Sequence, residues 1–417
     1  MPQNIKILTW NIQNYGDKKS GFPDVMKAIA SLVLLPRPDI FVLLEVNTTD
    51  HTTAVNLAKK MAKVLNSNSK LIYNADEYRV CVISPNTGRE FYAFFVRDHT
   101  TIMPLLAKKR SDDSDVSLIG SDGLDYSDVK FVSANIKAGI NVLKNFPLLS
   151  PDVEDYSYNF RDLGIPKWTA VRLPVLGTFW CTGAAGNNRL LPIIACHFAA
   201  NHNQAKLQVE KLSCFSIMRG LGPAPTSRFV TPQAPIVMKV VNGGTTNVTL
   251  QSYILTGDFN MNYLSAKEAG WYDQITGNTF PELNAKLFIK SNTHLVTYSQ
   301  FSPRDYKNTG DLAISCYDNL MLGVNPAAAN PATAKTPDVS NVPERVRKRG
   351  VTLDECVEHY KELDQRGFVS SDYDYMATDF AKQLAGDKSH NINIAGSLVG
   401  ARLISDHLPV EFVLTLP

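Results

Sequence analysis

The chain has 417 residues, with 42 lysines and arginines against 40 aspartates and glutamates, a formal net charge of 42 − 40 = +2. That length buries a sizeable core and suits one large domain or two to three smaller ones. The near-neutral balance excludes a global field that would drive the chain onto a polyanion, so any phosphate site must come from local clusters. The apolar share of 44% and charged share of 20% exclude a disordered or fibrous chain.

Ile5 to Trp10 reads as a strand that ends on Asn11. Asp24 to Leu34 has helical spacing, with Val25, Ile29, Leu32 and Val33 inward, and Pro36 and Pro38 stop it. Asp39 to Leu44 is a continuous apolar run, a strand covered on both faces, and it ends on Glu45. A surface helix is expected over Ala54 to Leu65, then strands at Tyr78 to Ser84 and Phe91 to Arg97. Residues 107 to 128 are polar and acidic; Asp112, Asp113 and Asp115 lack the twelfth-position Glu of a calcium loop, so a solvated loop is expected. Residues 135 to 167 read as an irregular connection, Trp168 to Trp180 as a strand, and Leu190 to Cys196 as a strand ending on His197. A helix is expected over Gln204 to Met218 and a hairpin over Ile236 to Val241 and Thr246 to Leu255, whose second arm delivers Asp258. Ile314 to Leu322 is a strand carrying Asp318. Residues 325 to 342 have linker composition, and an amphipathic helix follows to about Gly367, its first turn holding Arg345, Arg347, Lys348 and Arg349. Asp406 and His407 then precede a final strand.

The cysteines, at 81, 181, 196, 214, 316 and 356, form no Cys-x-x-Cys pair. Buried free thiols and a reducing compartment are expected. No apolar run reaches the roughly 20 residues that cross a bilayer. With no signal-peptide pattern before the first strand, a cytoplasmic location is expected.

One regularity runs through the chain. Asn11, Glu45, Glu90, His197, Asp258, Asn260, Asp318 and the pair Asp406-His407 all stand at or near ends of apolar strands. Polar residues at one end of a sheet-built core converge on a cleft. Around Gly257, Asp258 and Asn260 lie two apart, so both face the same way while Phe259 faces the core. A carboxylate beside a carboxamide suits a hard cation and a phosphate.

The segments Thr-Trp-Asn11, Leu-Leu-Glu45-Val, Cys-His197-Phe, Gly-Asp258-Phe-Asn260, Tyr-Asp318-Asn-Leu and Ser-Asp406-His407-Leu-Pro-Val occur in the order of the endonuclease/exonuclease/phosphatase superfamily. The chain resembles its deoxyribonuclease I branch over residues 5 to 322 and 370 to 414. The resemblance implies an α+β fold, a four-layered α/β/β/α sandwich of two packed mixed sheets. It implies one catalytic domain over 1 to 417, with 325 to 370 an insertion in it. It also implies roles: Glu45 as main Mg²⁺ ligand with Asn11, and Asp406 as a further metal-site acid. Asp258 orients the attacking water or sits beside the metal, and Asn260, Arg172 and Asn11 contact the phosphate. His407 paired with Asp318, and His197 paired with Glu90, supply proton transfer or a phosphate clamp. The sequence departs from the branch at Asn47, where a groove-entering arginine stands in deoxyribonuclease I, and it lacks the Trp-x-Gly-Asp-x-Asn-x-Arg pattern of inositol polyphosphate phosphatases.

The expected function is therefore a Mg²⁺-dependent phosphodiesterase, with Mn²⁺ as substitute, acting as an endonuclease on DNA. The alternatives are the same chemistry on RNA, a nucleotide or a phospholipid headgroup, and a non-catalytic binding module. The helix over 343 to 367 is a candidate surface for a protein partner. His51, His99, His202 and His294 read as structural or solvent-facing.

Overall fold

The computed structural model describes residues 3–75, 77–84, 90–98, 101–109, 124–131, 141–144, 172, 174–182, 188–212, 236–239, 245–248, 252–272, 285–287, 292–297, 300, 312–324, 398, 402 and 404–416. The acidic run at 112–115 and the expected linker and basic helix at 325–370 lie outside them.

Two sheets form the body. In chain order the strands are β1 Gln3–Tyr15, β2 Ile40–Asn47, β3 Val80–Ile83, β4 Glu90–Val96, β5 Ile102–Lys109, β6 Leu124–Phe131, β7 Asn141–Lys144, β8 Val175–Thr182 and β9 Asn188–His197. They continue as β10 Ile236–Lys239, β11 Thr245–Val248, β12 Ser252–Asp258, β13 Ala285–Leu287, β14 His294–Leu295, β15 Ala313–Ser315, β16 Asp318–Val324 and β17 Val410–Leu416. The first sheet runs β17-β1-β2-β4-β3-β7 and the second β13-β16-β12-β9-β8-β5-β6. Both are mixed: β1 pairs β2 in parallel and β17 antiparallel, and β12 pairs β9 in parallel and β16 antiparallel.

The period-2 pattern of these strands assigns each side chain to a layer. Ile5 and Ile7 of β1, Ile40, Val42 and Leu44 of β2, and Tyr92, Phe94 and Val96 of β4 meet Ile193, Ala195, Ile254 and Leu320 of the second sheet. After the short helix α1 (Asp17–Ser20), two longer helices, α2 (Pro23–Leu34) and α3 (His51–Tyr73), pack against the alternate residues Leu8, Trp10, Phe41, Leu43, Phe91 and Phe95. On the second sheet's other face Ile194, Cys196, Leu255 and Met321 are buried as well, as are Ala205 and Val209 of helix α4 (His202–Leu212). The result is the four-layered α/β/β/α sandwich. Each fully buried Leu, Ile, Val or Phe contributes about 1.5–3 kcal/mol, so the inter-sheet layer holds its rim rigidly.

Several expected elements differ in extent. Helix α3 continues past Leu65 because Asn66 turns its amide onto Tyr78: Nδ2 donates to the Tyr78 carbonyl at 3.1 Å and Oδ1 accepts its N–H at 2.7 Å. The polar stretch after Leu65 is thereby tied to the start of β3. Both ends of the solvated loop expected at 107–128 are strand instead, 107–109 in β5 and 124–128 in β6, because the two strands pair antiparallel. Four residues of the expected irregular connection form β7, in parallel with β3. The hairpin at 236 is β10 and β11, and Asp258 is carried by the separate strand β12. The strand expected over 314–322 breaks at Cys316 and Tyr317 into β15 and β16. Four cysteines, 81, 181, 196 and 316, are buried free thiols. No described helix is long and apolar enough to cross a membrane.

Candidate active site

The polar rim follows from strand register. Residues 5, 7, 9 and 11 of β1 share the inter-sheet face; Thr9 there accepts a 2.9 Å hydrogen bond from Thr256 of β12. One step further Asn11 meets Asp258 in the same relation, its Nδ2 donating to Oδ2 at 3.1 Å. On the second sheet Asp258 stands opposite His197 of β9 and Asp318 of β16. Three neighbouring strands thus end on polar side chains aimed at one spot. Glu90 extends the inward row of Tyr92, Phe94 and Val96 on β4 by the same alternation.

Glu45 would break that parity, because it directly follows the inward-facing Leu44. It adopts φ 58, in the left-handed region, and the β2–β4 register shifts between Leu43 and Val46. That bulge swings the carboxylate to the rim. Its oxygens accept from Asn11 Nδ2 at 2.9 Å and from the Asn14 N–H at 2.7 Å. Gln13 and Asn14 are also left-handed, at φ 20 and 55, which wraps the end of β1 around Glu45. At Gly257, φ is +141 and an added Cβ would lie 1.9 Å from the Cys196 carbonyl oxygen. Only glycine lets β12 approach β9 this closely and present Asp258.

Two acid–histidine pairs face each other across Asp258. His407 Nδ1 lies 2.7 Å from Asp318 Oδ2, and its Nε2 lies 3.4 Å from Asp258 Oδ2. His197 Nδ1 lies 2.8 Å from Glu90 Oε2, and its Nε2 lies 3.5 Å from both Glu45 Oε1 and Asp258 Oδ2. Arg172 Nε is 2.7 Å from Glu90 Oε1, and its Nη1 is 2.5 Å from His197 Nε2. Asp406 Oδ1 lies 3.7 Å from His407 Nε2. The ten residues expected from sequence therefore meet in one cleft. Two are used differently from expectation. Asn11 bridges Glu45 and Asp258 through its donor nitrogen, while its Oδ1 accepts the Gln13 N–H at 3.0 Å. Asn260 Nδ2 donates to the Phe198 carbonyl at 2.9 Å, which leaves its second amide proton for another acceptor.

Burial and charge oppose each other here. Burial works against a charge on His407, but Asp318, Asp258 and Asp406 outweigh it and hold its pKa well above the ordinary histidine value. Burial likewise opposes a charge on His197, and the hydrogen bond to Glu90 with the fields of Glu45, Glu90 and Asp258 raises its pKa. Against that, a guanidinium has only donors, so its contact with Nε2 requires the neutral ring with Nδ1–H directed to Glu90. The geometry decides for this tautomer while Arg172 stays in place. Burial raises the Asp318 carboxyl. For Asp258 burial is outweighed by His407, His197 and the donors Asn260 and Asn11, which lower it. Asp406 falls below the usual carboxylate range for the same kind of reason, its cations being His407, His294 and Arg402.

The profile of the Endonuclease/Exonuclease/phosphatase family matches residues 8–282, a stretch that holds Asn11, Glu45, Glu90, Arg172, His197, Asp258 and Asn260. The chain belongs to this family. Its members are hydrolases of phosphoric esters and typically depend on a divalent metal ion, and among the described residues three clusters of candidate metal ligands lie in the cleft. Among solved structures the chain is similar to an endonuclease/exonuclease/phosphatase family protein from Bacteroides thetaiotaomicron, at 13% identity over 100% of this chain and 96% of that one, TM-score 0.42. It is also similar to D. rerio TDP2 complexed with single strand DNA product, at 11% identity over 99% of each chain, TM-score 0.41. A mannosyl-6-phosphatase from Bacteroides thetaiotaomicron VPI-5482 shares 14% identity over 78% of this chain and 86% of that one, TM-score 0.38. No curated protein matches.

The sequence reading missed residues that complete the cleft. Gln13 Nε2 donates to Asp406 Oδ2 at 2.8 Å. Ser405 Oγ donates to the Asn11 carbonyl at 2.6 Å and accepts the His407 N–H at 3.0 Å, and Trp10 Nε1 donates to the His407 carbonyl at 2.8 Å. Lys19 is buried with Nζ against the carbonyls of Ile12, Gln13 and Ile404, at 3.0, 2.5 and 2.9 Å. His294, expected to be structural, stands against Asp406 and His407. A lysine after a turn and a histidine in a short strand carry no local signal of such roles.

Proposed function

We propose that the chain is a single catalytic domain acting as a Mg²⁺-dependent phosphodiesterase, a deoxyribonuclease I-like endonuclease on DNA. The observation that carries this reading is the pair of acid–histidine couples converging on Asp258 beside Glu45. The donor set fits a hard cation: Glu45 is a carboxylate at the open edge, 13% exposed, with lone pairs left beyond its two accepted hydrogen bonds. Glu45 would hold the ion, with Asp406 as a further acid, and Asn11 fixes the Glu45 carboxylate. When bound, a Mg²⁺ ion neutralises charge on the phosphoryl oxygens and orients the ester.

The chain's own groups do the rest. Asp258, kept ionised, accepts a hydrogen bond from the attacking water and aligns it with phosphorus. His407, held cationic by three carboxylates and fixed by Asp318 through Nδ1, donates from Nε2 and supplies the proton that the departing oxygen gains. His197, neutral at Nε2 and oriented by Glu90, takes the proton that the attacking water loses once Arg172 turns to the phosphate, with Arg172 and the second Asn260 proton as donors to developing charge. Each proton-transfer partner of this kind is worth about 10²–10⁴ in rate. DNA is the substrate of this reading, through the two-histidine arrangement of the deoxyribonuclease I branch. Supercoiled plasmid incubated with the protein and Mg²⁺ should be nicked, and EDTA or His407→Ala should abolish the nicking. Plasmid intact at high protein concentration, with RNA, nucleotide or phospholipid hydrolysed instead, would refute DNA as substrate and keep the chemistry.

A further inference from the structure

Lys19 is a buried cation, 7% exposed, that takes no part in the proton and phosphate steps above. We infer that it is a positioning residue: from behind the rim it holds the hook formed by residues 11–14, and through that hook it sets the geometry in which Glu45 takes a divalent ion. This rests on Glu45 as the holder of the ion.

The hook carries backbone strain. Gln13 and Asn14 are left-handed, at φ 20 and 55, and Glu45 beside them has φ 58. Residues with a Cβ persist in that region only where the surrounding structure over-determines them, and such strain gathers at functional sites. Here it has a visible product. The turn points the Asn14 N–H at Glu45 Oε2, 2.7 Å away, while Asn14 Oδ1 accepts from Asn47 Nδ2 at 2.8 Å. On the other side of the hook the Gln13 side chain donates to Asp406, and the Asn11 carbonyl accepts from Ser405. Relaxed to extended backbone at 13 and 14, the chain would aim the Asn14 N–H elsewhere. Glu45 would then keep only the Asn11 donor of the two that fix its carboxylate.

Lys19 opposes that relaxation. Helix α1 follows the hook at once and returns Lys19 against it. Nζ stands 3.0 Å from the Ile12 carbonyl, 2.5 Å from that of Gln13 and 2.9 Å from that of Ile404. An ammonium carries three N–H donors on one atom, which matches three converging carbonyls; a planar guanidinium fork does not. Two of the carbonyls belong to the hook. The third, 385 residues away in the chain, directly precedes Ser405, Asp406 and His407. One nitrogen therefore ties the segment that supports Glu45 to the segment that carries His407, through hydrogen bonds stronger than those of a neutral donor. Removing a plain strut would lower stability and leave the Glu45 carboxylate as it is. Removing Lys19 frees the strained residues that orient it.

Isothermal titration of the intact protein with Mg²⁺, without substrate, and amide hydrogen exchange at Asn14 in EDTA read the two ends of this chain of contacts. Lys19→Met should weaken Mg²⁺ binding by about 10–100-fold and speed Asn14 exchange by about tenfold or more. Lys19→Arg keeps the charge and takes the place of the methionine variant if that one does not fold; its loss of Mg²⁺ affinity should lie at the lower end, about tenfold. Asn66→Ala separates stability from positioning. It removes the buried hydrogen bonds to Tyr78, so its Tm should fall while Mg²⁺ affinity stays within about twofold of wild type. Glu45→Gln in the same titration tests the reading beneath: Mg²⁺ bound as tightly by that variant would refute Glu45 as the holder. With Glu45 shown to hold the ion, Mg²⁺ affinity within about twofold of wild type in both Lys19 variants would overturn the inference. Unchanged Asn14 exchange in those variants would overturn it whichever group holds the ion.

Discussion

Gly257→Ala tests the backbone logic of the cleft at a single carbon. An added Cβ would lie 1.9 Å from the Cys196 carbonyl oxygen, 2.9 Å from its carbonyl carbon and 3.0 Å from its nitrogen. Relief to even 3.0 Å requires β9 and β12 to separate by 3.0 − 1.9 = 1.1 Å or more. The obstacle is main chain, so no side-chain rotation helps. The left-handed strain adds about 1–3 kcal/mol and the overpacking about 1–3 kcal/mol, a loss of roughly 2–6 kcal/mol in stability. The same opening moves Asp258 relative to His197, its register partner across the two strands. Misplacing a reacting group by about 1 Å costs on the order of 10²-fold in rate. Thermal unfolding and kcat/KM on a phosphodiester substrate should therefore fall together, and Gly257→Ser should be worse than Gly257→Ala. A Gly257→Ala protein with wild-type Tm and activity would refute the claim that glycine is required there to position Asp258.

Other outcomes follow from the same geometry. His407→Ala and His197→Ala should each lower kcat by about 10²–10⁴-fold, and the double variant should lose less than the product, because both face Asp258; strict additivity in single-turnover rates would separate them. Lys19→Met strands three main-chain carbonyls and should cost about 2–4 kcal/mol in denaturant unfolding, whereas Lys19→Arg should recover part of it; an unaffected midpoint in the methionine variant would count against the three-carbonyl cage. In metal-free protein, the raised His407 contributes stability that is complete below its ordinary value of 6.5 and is lost as pH climbs through its higher folded value. The lowered Asp406 contributes stability complete above 3.8 and lost as pH drops through its lower folded value. Tm against pH in EDTA should thus be highest between about 4 and 6.5, and Asp318→Asn should flatten the alkaline fall; an unchanged alkaline limb in that variant would remove His407–Asp318 as its source.

What was legible in the sequence is strand parity. Asn11, Glu90, His197, Asp258 and Asp318 each continue the alternation of an apolar strand into the rim, so their identity and their common direction could be read from the chain alone. The ordered motifs carried the resemblance to the family, and the resemblance implied the sandwich; the motifs were legible because strand-end chemistry is a local property. Glu45 had the right type but the wrong parity, and only the left-handed bulge explains how it reaches the cleft. Gln13, Lys19, His294 and Ser405 were not legible at all. Each acts by meeting a partner far away in the chain, Asp406 for Gln13 and Ile404 for Lys19. A contact across hundreds of residues is decided by how two sheets stack and how their ends are tied, and no window of sequence contains both partners.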